Sequence, residues 1–457
     1  MSSSTLSSLT AIEISDLVKA RKVSAEEIIQ QTFAQIERIE PKIHSWVHLA
    51  SDVALRHARE VDAKVKAGEP VGRLAGVPVG VKDIFNTAEM PTQMGSPLWK
   101  GFTPGNDARV VWQIRNEGAV FPGKTVTAEF AVHTPGPTCN PHDVAHMPGT
   151  SSSGSAAAVA AQMVPLTLGT QTAGSIIRPA SYNGIYGYKP SFGLIARTAM
   201  LKTTDSLDSV GYFGKSVEDM AVMFDIMRLH GRDYPISHEA LSDKKRQSKG
   251  DGPWKVGVIE NAPKWDHAEP YAKEALAAYV AKLERTPGVE VVKVRLPDAY
   301  FRAHDVHGVI YDKTLSYYFK EEFNKKTLIS PVMYEICTRG YALSLDEYKK
   351  ALAEQDALAA SFDDQIQSCH AWLTLSTGGA ALKGLESVDR PDTALIWTMV
   401  GAPVMNLPVF AKDHLPFGAQ LIGRKYNDYL LFDLMRHLEK HELIGKAPNP
   451  VPALARG

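Results

Sequence analysis

Gly169-Thr170-Gln171-Thr172-Ala173-Gly174-Ser175-Ile176-Ile177-Arg178-Pro179 sets one serine in a turn of small residues. Small residues let successive backbone N–H groups point into one concavity. An acyl-transfer site needs a hydroxyl that a base can deprotonate and donors aimed at the developing oxyanion. The turn from Thr172 to Ser175 can supply both. Upstream lie two more segments of the same texture, Gly80-Val81-Lys82-Asp83 and Gly149-Thr150-Ser151-Ser152-Ser153-Gly154-Ser155. Alone, each has a plainer reading: a Gly/Ser-rich stretch is usually a flexible turn, and a lysine after a strand is usually a solvated charge. Their order and spacing carry the argument.

Around these segments the sequence alternates in the manner of an α/β protein. Thr10 with Glu13 and Ser24 with Glu27 have capping-box spacing ahead of apolar periodicity, so the first 70 residues read as mostly helical. From Leu74 to about Gly193, short β-branched runs such as Val77-Pro78-Val79-Gly80-Val81 alternate with Gly/Ser-rich turns. Residues 154–163 form helix with almost no polar side chain, which predicts a helix buried on all sides. The polar stretch from Ser242 to Gly252 reads as an exposed linker or loop. Beyond it, a strand at Lys255–Ile259, a helix near 270–284 and a strand at Val289–Leu296 repeat the βαβ rhythm, so the sheet is expected to continue across the linker.

Taken together, the three segments resemble the amidase signature family. The likeness runs from about Leu74 to Gly193 and includes Gly187-Tyr188-Lys189-Pro190. It extends more weakly to Ser206-Leu207-Asp208, Ser216-Val217-Glu218-Asp219, Gly401-Ala402-Pro403 and Gln420-Leu421-Ile422-Gly423. The resemblance implies one large α/β/α domain over residues 1–457, built on a mixed, mostly parallel central sheet. Within it lie a helical N-terminal segment (1–70), a signature core (74–193) and a variable substrate-pocket region (about 225–390). It also implies roles: Ser175 as nucleophile, Ser151 as bridging serine in a cis peptide bond, and Lys82 as base. Ser152 is the rival for the bridge and otherwise a supporting donor. Thr172, Ala173, Gly174 and Ser175 would form the oxyanion hole. Ser151 and Ser175 stand 24 residues apart, the family's spacing. The implied activity is hydrolysis of a C–N amide bond in a small molecule, with ester or carbamate bonds open to the same machinery. The alternative is a partner-dependent, glutamine-cleaving subunit of a transamidation complex.

This sequence departs from the family pattern at three places. Gln171 stands where an acidic residue is usual, Ala173 replaces the first of two glycines, and Arg178 lies one residue later than the common arginine. Backbone donors survive the first two changes. The third resembles the malonamidase branch, in which an arginine takes a substrate carboxylate, a pairing that guanidinium geometry suits. A structural ion pair for Arg178 is the other reading, and sequence leaves both open.

Composition narrows the partners. Fifty Lys and Arg face 51 Asp and Glu, so no charge excess favours nucleic acid or an anionic membrane. With 44% hydrophobic and 22% charged residues, the chain is globular. No apolar run approaches the roughly 20 residues that span a bilayer. Met1–Ile14 has no basic-then-apolar leader pattern. Cys139, Cys337 and Cys369 lack the spacing of a disulfide framework or thiolate zinc site, which fits a reducing cytoplasm. The expectation is thus a cytoplasmic monomer or homodimer acting on a small-molecule amide, with no metal and no cofactor. Gly118–Thr125 fits a phosphate-loop pattern, yet Val120, Phe121 and Pro122 make it a poor cradle, and Pro122 has no N–H to offer. Neither H-E-x-x-H nor G-x-S-x-G occurs, so His133, His142 and His146 have no motif to serve.

Overall fold

Among the residues described by the computed structural model (8–386, 389–445 and 447), eleven strands form one sheet. They are β1 (Trp46–Leu49), β2 (Val79–Lys82), β3 (Gly123–Thr125), β4 (Leu166–Gln171), β5 (Tyr186–Lys189), β6 (Ser209–Gly214), β7 (Trp254–Ile259), β8 (Val289–Val294), β9 (Ala371–Leu375), β10 (Val404–Lys412) and β11 (Leu415–Gly423). Their order across the sheet is β1-β3-β2-β4-β6-β5-β10-β11-β9-β7-β8. The mixed α/β architecture is as expected. Its emphasis is not: parallel pairing is confined to β3-β2-β4 and β9-β7-β8, and the centre from β4 to β9 is antiparallel throughout. One physical reason is the two-residue turn between β10 and β11, which only antiparallel neighbours can close.

The sheet continues past the polar stretch at 242–252, since β7 and β8 pair parallel and β7 joins β9. That stretch has no helix or strand of its own, yet it is tied down: Arg246 Nη2 donates to the Lys425 carbonyl at 2.6 Å and Gln247 Nε2 to that of Tyr426 at 2.6 Å. Both expected capping boxes form, on helices Ala11–Lys19 and Ala25–Ile43. The sequence before Ser8 lies outside the described residues. No helix among the described residues is long and apolar enough to cross a membrane.

The helix Ser153–Ala160 is buried at every position and packs across β2, β3 and β4. Its small side chains permit this: a Cβ on Gly154 would sit 2.3 Å from the Ser45 carbonyl oxygen and 2.5 Å from the Val126 nitrogen. The helix therefore rests directly on backbone. Because β2, β3 and β4 are parallel, their C-terminal ends share one edge, where ligands of open α/β sheets usually bind. Lys82 ends β2 and Gln171 ends β4, so the two segments separated in sequence meet there.

Candidate active site

Strand alternation decides how Lys82 is presented. Val79 and Val81 enter the main apolar core, and Lys82, two residues from Gly80 on the opposite face, lies beneath the buried helix, fully enclosed. Its Nζ stands 2.9 Å from each of three hydroxyl oxygens, Ser151 Oγ, Ser152 Oγ and Thr170 Oγ1. Among the described residues, no carboxylate touches it. Burial pushes its pKa down to about 7, against the nearby charge of Asp208, which pulls the other way. A lysine so placed is partly neutral near neutral pH and has a lone pair to accept a proton.

The peptide between Thr150 and Ser151 is cis. The segment carrying it is pinned on both sides: the Ser151 carbonyl accepts from Ala128 N at 3.0 Å, and the Gly154 N–H reaches the Val126 carbonyl at 3.1 Å. Ser152 also donates to the Thr170 carbonyl at 3.2 Å, joining this segment to β4.

The turn after β4 holds Ser175, which is 7% exposed. Gln171 shapes it. Its Oε1 accepts from the N–H groups of Ile176 at 2.8 Å and Ile177 at 3.0 Å, and its Nε2 donates to Thr398 Oγ1 at 2.9 Å. An amide can do both, whereas a carboxylate could only accept. Thr172 Oγ1 donates to Asp208 Oδ1 at 2.8 Å, and Asp208 also gathers the N–H groups of Thr203 and Thr204. Among the described residues, the N–H groups of Ala173, Gly174 and Ser175 meet no protein acceptor, and neither does the Ser175 hydroxyl. These are donors left over for a ligand.

Gly174 cannot be replaced by a larger residue, because a Cβ there would lie 2.3 Å from Asp392 Oδ2. Asp392 and Asp389 converge on Arg178. Arg178 Nε is 2.9 Å from Asp389 Oδ2, Nη1 is 3.1 Å from Asp392 Oδ2, and Nη2 donates to the Thr150 carbonyl at 3.3 Å. The Thr150 N–H reaches Asp389 Oδ2 at 3.3 Å. Arg178 thus ties the Thr150–Ser151 peptide to the turn bearing Ser175, and each of its nitrogens faces a protein oxygen.

Of the residues expected from sequence, Lys82, Ser151 and Ser152 are in direct contact, and Thr172 to Ser175 stand beside them on one turn. Contact between the Ser151 and Ser175 hydroxyls is absent among the described residues. Catalytic hydrogen bonds are often loose until substrate binds. Sequence reasoning missed Thr170, Asp208, His307, Asp389, Asp392 and Thr398. Asp208 was visible in the Ser-Leu-Asp segment but carried no assigned role; the others have no local motif. Lys124, in the phosphate-loop-like stretch, is buried structure: its Nζ donates to the carbonyls of Phe85 and Pro91 and lies 3.2 Å from Asp83. Trp397 is core, fully buried beside Trp372. Tyr317 is 70% exposed.

The amidase family pattern matches residues 27–432. The chain belongs to the amidase family. A glutamyl-tRNA(Gln) amidotransferase subunit from Carboxydothermus hydrogenoformans is 32% identical to this amidase over 96% of the chain and 98% of that protein. Among solved structures, a chain from a vestigial protein complex bearing on the origins of an s-triazine catabolic enzyme has a TM-score of 0.85 at 25% identity, covering 96% of this chain and 100% of that one. The peptide amidase of Stenotrophomonas maltophilia has a TM-score of 0.82 at 24% identity, covering 96% and 98%, and shares the fold. These relatives give no support to the narrower malonamidase-like reading.

Proposed function

We propose that this amidase cleaves a C–N bond through an acyl-enzyme on Ser175, with Lys82 and Ser151 moving the proton. The observation that carries this reading is the enclosed Lys82 Nζ, 2.9 Å from Ser151 Oγ and with its pKa lowered to about 7. Ser175 Oγ attacks the carbonyl carbon while its proton passes to Ser151 Oγ, whose own proton passes to Lys82 Nζ. The tetrahedral oxyanion is held by the unpaired N–H groups of the turn from Thr172 to Ser175. On its collapse the C–N bond breaks and the amine leaves with a proton returned through Ser151. Water, deprotonated through the same relay, then attacks the ester and frees the acid and Ser175. Ser152 donates to the Thr170 carbonyl and keeps Lys82 in register. An ester or carbamate differs chiefly in its leaving group and suits the same steps.

Two finer readings of the substrate follow. Full-length similarity to the amidotransferase subunit favours glutamine as ammonia source, with turnover dependent on a partner protein. Arg178 favours a different emphasis. Asp389, Asp392 and the Thr150 carbonyl fill it, so it braces the site and leaves no free edge for a substrate carboxylate. That geometry suits an amide without an acidic group at this position. Ammonia release by the purified chain alone separates the two, using glutamine, a small aliphatic amide and an aryl amide in parallel. Turnover of neutral amides without a partner supports the free-standing amidase; inertness alone, with glutamine cleavage on adding a partner complex, supports the amidotransferase.

A further inference from the structure

The Ser175 turn is held from a direction that the proton relay does not use. His307, on the helix Ala303–Tyr318, donates from Nε2 to the Thr172 carbonyl at 3.0 Å. One residue later, Thr398 Oγ1 donates to the Ala173 carbonyl at 2.7 Å. In a trans peptide the C=O and the following N–H point in opposite directions. Fixing the Thr172 carbonyl on His307 therefore turns the Ala173 N–H to the other side, and fixing the Ala173 carbonyl on Thr398 does the same for Gly174. Those are two of the N–H groups that have no protein acceptor among the described residues.

Resting on the acyl-enzyme reading above, we infer that His307 and Thr398 are positioning residues: they pull the carbonyls of Thr172 and Ala173 outward so that the N–H groups of Ala173 and Gly174 converge on the oxyanion.

The surroundings of both residues fit this role. His307 is buried, with its ring stacked on Tyr311 at 5.3 Å and 26°. A carbonyl partner requires the proton on Nε2, and burial keeps the imidazole neutral by pushing its pKa down to about 4. Thr398 receives a hydrogen bond from Gln171 Nε2, and Gln171 Oε1 takes the N–H groups of Ile176 and Ile177 on the far side of Ser175. The turn is thereby gripped before and after the nucleophile. Neither residue touches Lys82 or Ser151, so their loss should spare proton transfer and impair oxyanion support.

The test is the rate at which an alkyl fluorophosphonate labels Ser175. Addition at phosphorus places a negative oxygen where the oxyanion would form, and no natural substrate need be known. His307→Phe keeps a flat ring beside Tyr311 but has no donor; Thr398→Val keeps the shape and loses the hydroxyl. Each is expected to slow labelling at least about tenfold, below the roughly 10²–10³ seen when an oxyanion donor is deleted outright. The pH dependence of labelling should not move, and His307→Gln should recover part of the rate through its amide donor. Wild-type rates in folded His307→Phe and Thr398→Val would overturn the inference. So would a loss accompanied by a displaced pH profile, which would place these residues in the relay. If His307→Phe does not fold, Thr398→Val decides. If the wild type itself takes no label on Ser175, the acyl-enzyme reading fails, and that result is distinct.

Discussion

Replacing Lys82 with methionine should favour the folded state most at low pH, even as it removes the base. The lysine is fully enclosed, and burial brings its pKa from 10.5 down to about 7. Because the unfolded chain keeps the higher value, it binds more protons than the folded chain between about pH 7 and 10.5. Wild-type stability contributed by this group therefore rises with pH across that window. Below about pH 7 the whole penalty of burying the charge is present; above about 10.5 it is gone. A displacement of about 3.5 units corresponds to about 5 kcal/mol. Methionine at this position has no charge to bury but strands three hydroxyls, of which Ser152 keeps the Thr170 carbonyl, at about 1 kcal/mol for each lost hydrogen bond. The stranded hydroxyls cost the same at every pH, so the pH dependence isolates the buried charge. The difference in unfolding free energy, Lys82→Met minus wild type, should fall by about 3 kcal/mol between about pH 6 and 9.5. Urea unfolding at a series of pH values measures it through the transition midpoints. Lys189 and Lys124, also buried with pKa values lowered to about 7 and about 8, occur in both proteins and cancel in the difference. A difference that stays constant over that range would refute the reasoning, since Lys82 would then titrate alike in both states.

The same pKa sets the pH dependence of the reaction: kcat/KM should rise about tenfold per unit up to about pH 7 and then level off, and a flat profile from about pH 5.5 to 8 would remove Lys82 as the base. Arg178→Ala should cost about 3–5 kcal/mol of stability, read from the same urea midpoints, because it leaves Asp389 and Asp392 buried without their cation. The ratio of kcat/KM for a dicarboxylic half-amide to that for a neutral amide should not change in this variant; a selective loss for the half-amide would instead make Arg178 the carboxylate receptor.

Much of this molecule is legible one residue at a time, and the remainder is not for a physical reason. Capping boxes at Thr10 and Ser24 are local, so they appear in the sequence and again in the structure. The buried helix could be read from its lack of polar side chains. Sheet order could not: antiparallel pairing of β4 with β6, or of β5 with β10, depends on contacts between segments far apart in the chain. The site divides the same way. Lys82, Ser151 and Ser175 sit in compact segments whose glycine and serine content reflects close backbone packing. Asp389, Asp392, His307 and Thr398 reach the Ser175 turn from distant parts of the chain, the nearest of them, His307, lying 135 residues from its partner Thr172. Nothing near them in sequence marks their purpose. Arg178 could be noticed from sequence, but whether it faced a substrate or two aspartates depended on where the 389–392 segment folded.

The most direct measurement of the central claim is the mass of the intact protein, followed by peptide mapping, after exposure to an alkyl fluorophosphonate. A single adduct on Ser175 in the wild type, none in Ser175→Ala, and much slower labelling in Lys82→Met are the predicted results. An adduct on Ser151 or Ser152, or undiminished labelling of Ser175→Ala, would contradict the account.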